Sequence, residues 1–110
     1  MNKLEDLIKD ELLRANKKHN SLFHSLHEYW AVIFEEIEEA GKDMNKVNYL
    51  SHDLWEYVKT DNYNKCHEVT NEISKMATNC INELIQVLAM TKKMKLSFEP
   101  PEKIEVDKEY

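Results

Sequence analysis

The shortage of turn-forming residues limits what this chain can fold into more than any other feature of its sequence. Its 110 residues include one glycine and two prolines. A β-sandwich or barrel needs a turn about every 8–12 residues, and glycine and proline supply many of the backbone angles that such turns require. The sequence therefore predicts an all-α fold with long helices. A single domain is expected, because domains run to about 100–150 residues.

Hydrophobic periodicity predicts a helical domain over residues 1–94 that contains four helices. Apolar residues recur at helical spacing in four stretches, which are 3–19, 22–40, 43–59 and 65–93. Gly41 is the predicted stop between the second and third helices, although a helix can continue through a glycine at a cost of about 1 kcal/mol. Residues 60–64 combine capping and turn residues, and they are the clearest break in the chain.

The amphipathic helices leave large apolar faces that a chain of this size does not cover by itself. Small chains bury a smaller fraction of their surface than large ones. We therefore expect self-association, as a dimer or a tetramer, to complete the four-helix bundle. Beyond the helical domain, Pro100 and Pro101 exclude helix, and the charged residues around them predict an acidic tail over residues 95–110 that is extended or mobile, or lies over a neighbour.

Charge and hydropathy argue against nucleic acid and membrane partners. The formal net charge is −6 at pH 7 and Arg14 is the only arginine, so the chain is repelled by phosphate backbones and has almost no means of bidentate base readout. No apolar run approaches the roughly 20 residues that cross a bilayer, and residues 1–6 lack a signal-peptide core. Cys66 and Cys80 form no disulfide framework, so we expect a cytoplasmic protein with two buried thiols.

The first candidate site is a run of glutamates on the second predicted helix. In the segment 35–39 (EEIEE), Glu36 and Glu39 are three residues apart, and Glu35 and Glu39 are four apart, so each pair meets on the helix surface. Like charges at this spacing repel each other. Mg²⁺ relieves such repulsion because it favours carboxylate oxygens, at about 2.0–2.1 Å. The alternative, a solvated acidic face without a ligand, is a common feature of helices.

The second candidate site lies on the last predicted helix, where Asn79, Glu83 and Gln86 share one stripe beside an apolar face. Gln86 is the only glutamine, and it lies in the apolar run 84–90. A polar amide in such surroundings costs about 1–3 kcal/mol unless it finds a hydrogen-bond partner. It is therefore either satisfied inside the bundle core or directed at a ligand, and the sequence leaves both alternatives open.

Several aromatic, basic and histidine side chains have both a structural and a binding interpretation. Trp30 and Trp55 are expected in the core, and stacking of Trp30 on a base is the alternative. Lys17 is a candidate for meeting a phosphate, although exposed lysines mostly serve solubility. His24 and His27 have the spacing of a helical zinc pair, but no third and fourth ligands accompany them.

The two acidic motifs together resemble those of the MazG-like all-α nucleoside triphosphate pyrophosphohydrolases, which carry E-E-x-x-E on one helix and E-x-x-D on a second. Residues 27–39 (HEYWAVIFEEIEE) look like the phage-type branch of that superfamily. So do residues 83–90 (ELIQVLAM), in which Gln86 stands in place of the usual aspartate. Residues 54–58 (LWEYV) are similar to a connecting segment of the family, and the likeness covers about residues 20–93.

The resemblance implies Mg²⁺-dependent hydrolysis of a nucleoside or deoxynucleoside triphosphate to the monophosphate and pyrophosphate, in nucleotide-pool cleansing, by a helical dimer or tetramer. By position, Glu35 and Glu36 would act in catalysis. The metal ligands would be Glu35, Glu36, Glu39 and Glu83. The candidates for substrate contacts are Gln86, Asn79, Trp30 and Lys17. The alternative is a non-catalytic helical interaction module that keeps the fold and engages a basic partner through its acidic face.

Overall fold

The protein is all-helical in the residues that the structure describes, which are 2–19 and 22–98. The computed structural model contains three helices there, in the order α1 (Lys3–His19), α2 (Leu26–Lys59) and α3 (Tyr63–Ser97). The prediction of an all-α fold is confirmed, and α1 has the predicted bounds. The prediction of four helices is wrong, because the second and third predicted helices are one continuous helix, α2.

The helix α2 passes through Gly41 because nothing at that position forces the backbone out of the helix. Gly41 is exposed and does not adopt a positive φ. Its neighbour Ala40 is buried against α3, where the thiol of Cys80 donates to the carbonyl oxygen of Ala40 at 3.5 Å. Packing of the surrounding turns on α3 thus outweighs the cost of about 1 kcal/mol that an interior glycine adds.

A tight turn between α2 and α3 makes the two helices antiparallel. The N–H of Asn62 donates to the carbonyl of Tyr57 at 3.0 Å. The N–H of Asp61 donates to the carbonyl of Val58 at 3.1 Å, and the two bonds form a Schellman motif. Asp61 takes the left-handed conformation, with φ 51°, which aspartate tolerates better than most residues. The break that the sequence predicts in this segment is confirmed.

The start of α2 is fixed by bonds between side chains and backbone. Ser25 Oγ accepts from the N–H of Glu28 at 3.1 Å, and Glu28 Oε1 accepts from the N–H of His24 at 2.6 Å. This arrangement is close to a capping box, which satisfies amide groups that the first turn of a helix leaves unpaired. As a result α2 begins at Leu26, and Phe23 belongs to the connection that precedes it.

The helices α1 and α2 each pack on α3, whereas they do not pack on each other. The buried core joins α1, the connection before α2 and α3, and it consists of Ile8, Ala15, Phe23, Ala89 and Met90. Ala89 has no exposed surface. Its short side chain allows α1 and α3 to approach closely, and the two helices then cover it. This arrangement leaves a gap between α1 and α2, and α3 forms its floor.

Much apolar side-chain surface on α2 and α3 is not covered within the chain. The exposed residues recur at helical spacing, and we call the following set the apolar face: Leu26, Trp30, Phe34, Ile37, Ile81, Leu84 and Leu88. Trp30 stacks on Phe34 with 4.8 Å between ring centroids. The prediction that Trp30 and Trp55 lie in the core is wrong for the single chain, because the two residues are 61% and 57% exposed.

Three other predictions concern the tail, the membrane and the cysteines. α3 ends at Ser97, and residues 99–110, which make up most of the predicted tail, lie outside the described residues. None of the described helices has a stretch that is both long and apolar enough to span a membrane. Both thiols are free, with Cys80 buried and Cys66 half-buried.

Replacing Gly41 with alanine is expected to stabilise the protein by about 1 kcal/mol, because the substitution removes the entropic cost of a glycine in a helix. A Cβ at this position would meet no atom within 4 Å. Urea unfolding measures the change, and Ala31→Gly at another exposed position of α2 is the control, with a loss of similar size. A loss of stability in Gly41→Ala would instead mean that the added Cβ meets another chain.

Candidate functional site

A cleft of about 480 Å³ lies between α1 and α2 and reaches α3 at its floor. It exists because α1 and α2 rest side by side on α3 without packing on each other. Its charged and polar lining residues come from all three helices and are Glu11, Arg14, Glu28, Glu35, Glu36, Gln86 and Lys93. The cleft therefore holds acidic and basic side chains together.

The carboxyl groups of Glu36 and Glu83 meet where α2 packs on α3, and both side chains are half-buried. Burial, followed by the hydrogen bond with Glu83 and the charge of Glu83, raises the pKa of Glu36 to about 7. Glu36 Oε2 is buried and has no hydrogen-bond partner among the described residues. Two ionised carboxylates cannot form a hydrogen bond with each other, so this pair is relieved by taking up a proton or a cation.

The structure does not bring all four predicted metal ligands together. Glu35 is exposed and lines the cleft, and its charge contributes to the raised pKa of Glu36. Glu39 is exposed outside the cleft, where it pairs with Lys42 at 3.7 Å between Nζ and Oε1. Within residues 2–19 and 22–98, no group of three or more His, Cys, Asp or Glu side chains is arranged to hold a metal ion.

The candidates for substrate contacts also lie in different parts of the molecule, and the structure does not bring them together. Gln86 is half-buried and lines the cleft. Asn79 is exposed and is not part of the cleft lining. Trp30 lies on the apolar face. Lys17 belongs to α1, but its side chain is outside what the structure describes.

The sequence-based prediction missed the charges that α1 brings to the cleft. Arg14 donates from both Nε and Nη2 to the two carboxylate oxygens of Glu11. This hydrogen bonding, and then the charge of Glu11, raises the pKa of the Arg14 guanidinium above its ordinary value, and Glu36 makes a smaller contribution. The spacing of Glu11 and Arg14 predicts an ion pair on one helix. Their closeness to the glutamates of α2 follows only from the docking of α1 on α3.

Lys93 is the second basic residue that the sequence did not single out. It is 6% exposed, and its Nζ lies 4.7 Å from the centroid of the Phe23 ring. In the sequence, Lys93 belongs to a cluster with Lys92 and Lys95, which is typical of a solvated surface. Its burial could be found only from the contact of α3 with the connection before α2.

No protein-family model, no curated protein and no solved structure matches this chain. The likeness to the MazG-like superfamily therefore depends on the motifs at residues 35–39 and 83–86.

The raised pKa of Glu36 predicts a dependence of stability on pH in the absence of divalent cations. Between pH 4.5, its ordinary pKa, and pH about 7, the folded state holds a proton that the unfolded state has lost. Stability is therefore expected to fall as the pH rises through this interval. Glu36→Gln keeps a hydrogen-bond donor and cannot ionise, so its melting temperature should exceed that of the wild type above pH about 7.

The melting temperatures of the wild type and Glu36→Gln should converge below pH 4.5, because both side chains are then neutral. Thermal unfolding followed by circular dichroism measures both regimes. Glu38→Gln, at an exposed position outside the cleft, is the control for loss of one negative charge. An equal difference between wild type and Glu36→Gln at all pH values would contradict this assignment.

Proposed function

We propose that the protein is a Mg²⁺-dependent pyrophosphohydrolase that converts a nucleoside or deoxynucleoside triphosphate and water into the monophosphate and pyrophosphate. The observation that carries this proposal is the meeting of Glu36 and Glu83 beside a cleft that also contains Arg14 and Lys93. The motif likeness supports the same reaction, and it supports a role in cleansing the nucleotide pool of the cytoplasm. The proposal assigns the acidic side of the cleft to the metal and the basic side to phosphate.

The donor set fits a magnesium ion. Mg²⁺ sites usually use one or two carboxylates and complete the octahedron with water and substrate phosphates. Glu36 and Glu83 supply two carboxylates, and the buried Oε2 of Glu36 has no donor among the described residues. When bound, Mg²⁺ would neutralise phosphate charge and make a coordinated water more acidic.

The remaining polar residues of the cleft have roles that follow from their positions. Glu35 is exposed at the cleft, so it orients the attacking water and accepts its proton. Gln86 offers an amide from α3 and contacts the substrate as a neutral group. The reaction breaks the bond between the α- and β-phosphate groups, and the water supplies the oxygen that one of the two products gains. Glu39, paired with Lys42, takes no part.

Pyrophosphate release from a panel of nucleoside and deoxynucleoside triphosphates with Mg²⁺ tests the proposal. Glu36→Gln and Glu83→Gln are each expected to lower the rate by about 100-fold or more, because even residues that only support a metal ligand contribute about 10–100-fold. Glu38→Gln changes the charge equally outside the cleft and should leave the rate unchanged. Wild-type protein that releases pyrophosphate from none of the nucleotides would refute the enzymatic proposal.

A non-catalytic interaction module is the second candidate function. Two observations favour it: Glu35, Glu38 and Glu39 are exposed, and the described residues hold no group of three metal-binding side chains. The melting temperature with Mg²⁺ and a non-hydrolysable triphosphate separates the two candidates, because a ligand that binds only the folded state must raise it. A rise that Glu36→Ala abolishes favours the enzyme. The absence of a rise in wild-type protein favours a module that binds a basic partner.

We also propose that two copies of the chain cover the apolar face and form a four-helix bundle from two α2–α3 hairpins. Wound at about 100° per residue, Phe34 and Leu84 fall on the opposite side of the α2–α3 contact from Glu35 and Gln86. The apolar face is therefore free to pack while the cleft stays open. The radius of gyration of 19.5 Å supports the proposal, since a compact domain of 100 residues has about 13 Å.

Substitution of the apolar face by charge is expected to dissociate the assembly. Phe34→Asp and Leu84→Asp should each convert the wild-type dimer to a monomer, because a buried, unpaired carboxylate is costly. Sedimentation velocity measures the oligomeric state. Tyr49→Asp is the matched control, because Tyr49 is 76% exposed and lies outside the apolar face. A wild-type protein that stays monomeric at all concentrations would contradict the proposed assembly.

A further inference from the structure

We infer that Lys93 is a phosphate-binding residue of the cleft and contacts a phosphate group of a magnesium-bound polyphosphate. The identification of that ligand as a nucleoside triphosphate rests on the proposed function. The binding of a polyphosphate chain by Lys93 does not, and it is argued from the surroundings of this one side chain.

Most of the Lys93 side chain is buried. Lysine is almost never fully buried unless it is paired, because removing an ammonium group from water is costly. Lys93 is 6% exposed, so the long stem of its side chain is covered. Its ammonium forms no hydrogen bond or ion pair with the described residues and is not one of their fully buried, unpartnered polar atoms, which is typical of a lysine whose stem is buried and whose charged end stays accessible. The contact with the Phe23 ring at 4.7 Å supplies only a cation–π attraction, which is weaker than a charge-assisted hydrogen bond.

Hydrogen bonds of Ser97 hold Phe23 against the turn of α3 that carries Lys93. Ser97 Oγ donates to the carbonyl of Lys93 at 2.7 Å and accepts from the N–H of Phe23 at 2.9 Å. These two bonds fix Phe23 to the last turns of α3, and its ring covers one side of the lysine. Both residues line the cleft, and the inference places a phosphate on the side of the ammonium that Phe23 does not cover.

The cleft around Lys93 also contains negatively charged side chains. Glu28, Glu35 and Glu36 of α2 also line the cleft, but none of them forms an ion pair with Lys93 in the described part of the chain. Arg14 and Glu11 form an ion pair in the cleft, whereas Lys93 shares it with the glutamates of α2 without pairing with them. A polyphosphate with bound Mg²⁺ has the complementary distribution, because its metal interacts with carboxylates and its free oxygens interact with an ammonium.

Calorimetric titration with inorganic tripolyphosphate in the presence of Mg²⁺, and with Mg²⁺ alone, tests the inference. Lys93→Met keeps the length of the side chain and removes its charge, and it should weaken tripolyphosphate binding by about tenfold or more, as expected for one lost charge-assisted hydrogen bond. Binding of Mg²⁺ alone should not weaken. The exposed neighbour Lys92, replaced by methionine, is the matched control and should bind like the wild type.

A second variant and a second measurement separate binding from a structural role. Lys93→Arg keeps the charge and should retain most of the affinity, and the affinity of Lys93→Met should depend less on salt than that of the wild type. A lysine that only packs against Phe23 would change the melting temperature while leaving tripolyphosphate affinity unchanged. That result would overturn the inference, as would a wild-type protein that binds no tripolyphosphate.

The inference and the proposed function fail in different ways. If Lys93→Met binds tripolyphosphate as tightly as the wild type, the inference is overturned, and pyrophosphate release by the wild type would still support the enzyme. If binding depends on Lys93 but the wild type hydrolyses no nucleotide, the enzymatic proposal falls and the assignment of Lys93 stands.

Discussion

The packing of α1 and α2 on α3 is the interaction on which the rest of the structure depends. On one side, buried Cys80 contacts the backbone of Ala40 in α2. On the other side, Ala89 and Met90 form a core with Ile8 and Ala15 of α1. Because α1 and α2 both rest on α3 without packing on each other, α3 forms the floor of the gap that becomes the cleft, and it makes the helix contact at which the carboxyl groups of Glu36 and Glu83 meet.

The cleft retains groups that do not favour folding by themselves. A half-buried pair of carboxyl groups repels when ionised, and this repulsion adds to the effect of burial on the pKa of Glu36. Lys93 has a buried stem and forms no ion pair with the described residues. A perturbed ionisable group such as Glu36 is typical of functional sites, because catalysis and ligand binding require such groups. The proposed function and the assignment of Lys93 give both features one common explanation, a ligand that carries a metal and phosphate.

Periodicity and turn chemistry predicted the elements of the fold but not all of their limits. The bounds of α1 and the break before Tyr63 were predictable because apolar spacing and turn residues are local signals. The predicted end of a helix at Gly41 is absent and α2 continues through this residue, because packing on α3 outweighs a local preference of about 1 kcal/mol. Trp30 was assigned to the core because periodicity identifies an apolar stripe without showing which surface covers it.

The candidate site was predictable only in part, for the same reason. The motifs singled out Glu36 and Glu83, which meet in the structure, and Glu35, which lines the cleft. Arg14 and Lys93 were missed because their proximity to the glutamates depends on contacts between helices that are distant in the chain. Local spacing carries no information about those contacts, which arise from the docking of α1 and the position of Phe23.

The opposite placement of the cleft and the apolar face on one hairpin has a consequence for how this protein can change. Leu84 and Gln86 are near neighbours in the chain, yet they lie on opposite sides of α3, because two positions turn a helix by about 200°. A substitution on the cleft side therefore leaves the apolar face unchanged, and a substitution on the apolar face leaves the cleft unchanged. Insertion or deletion of a single residue within α3 would rotate every later position by about 100°, so it would displace both surfaces at once, whereas a substitution affects only one of them.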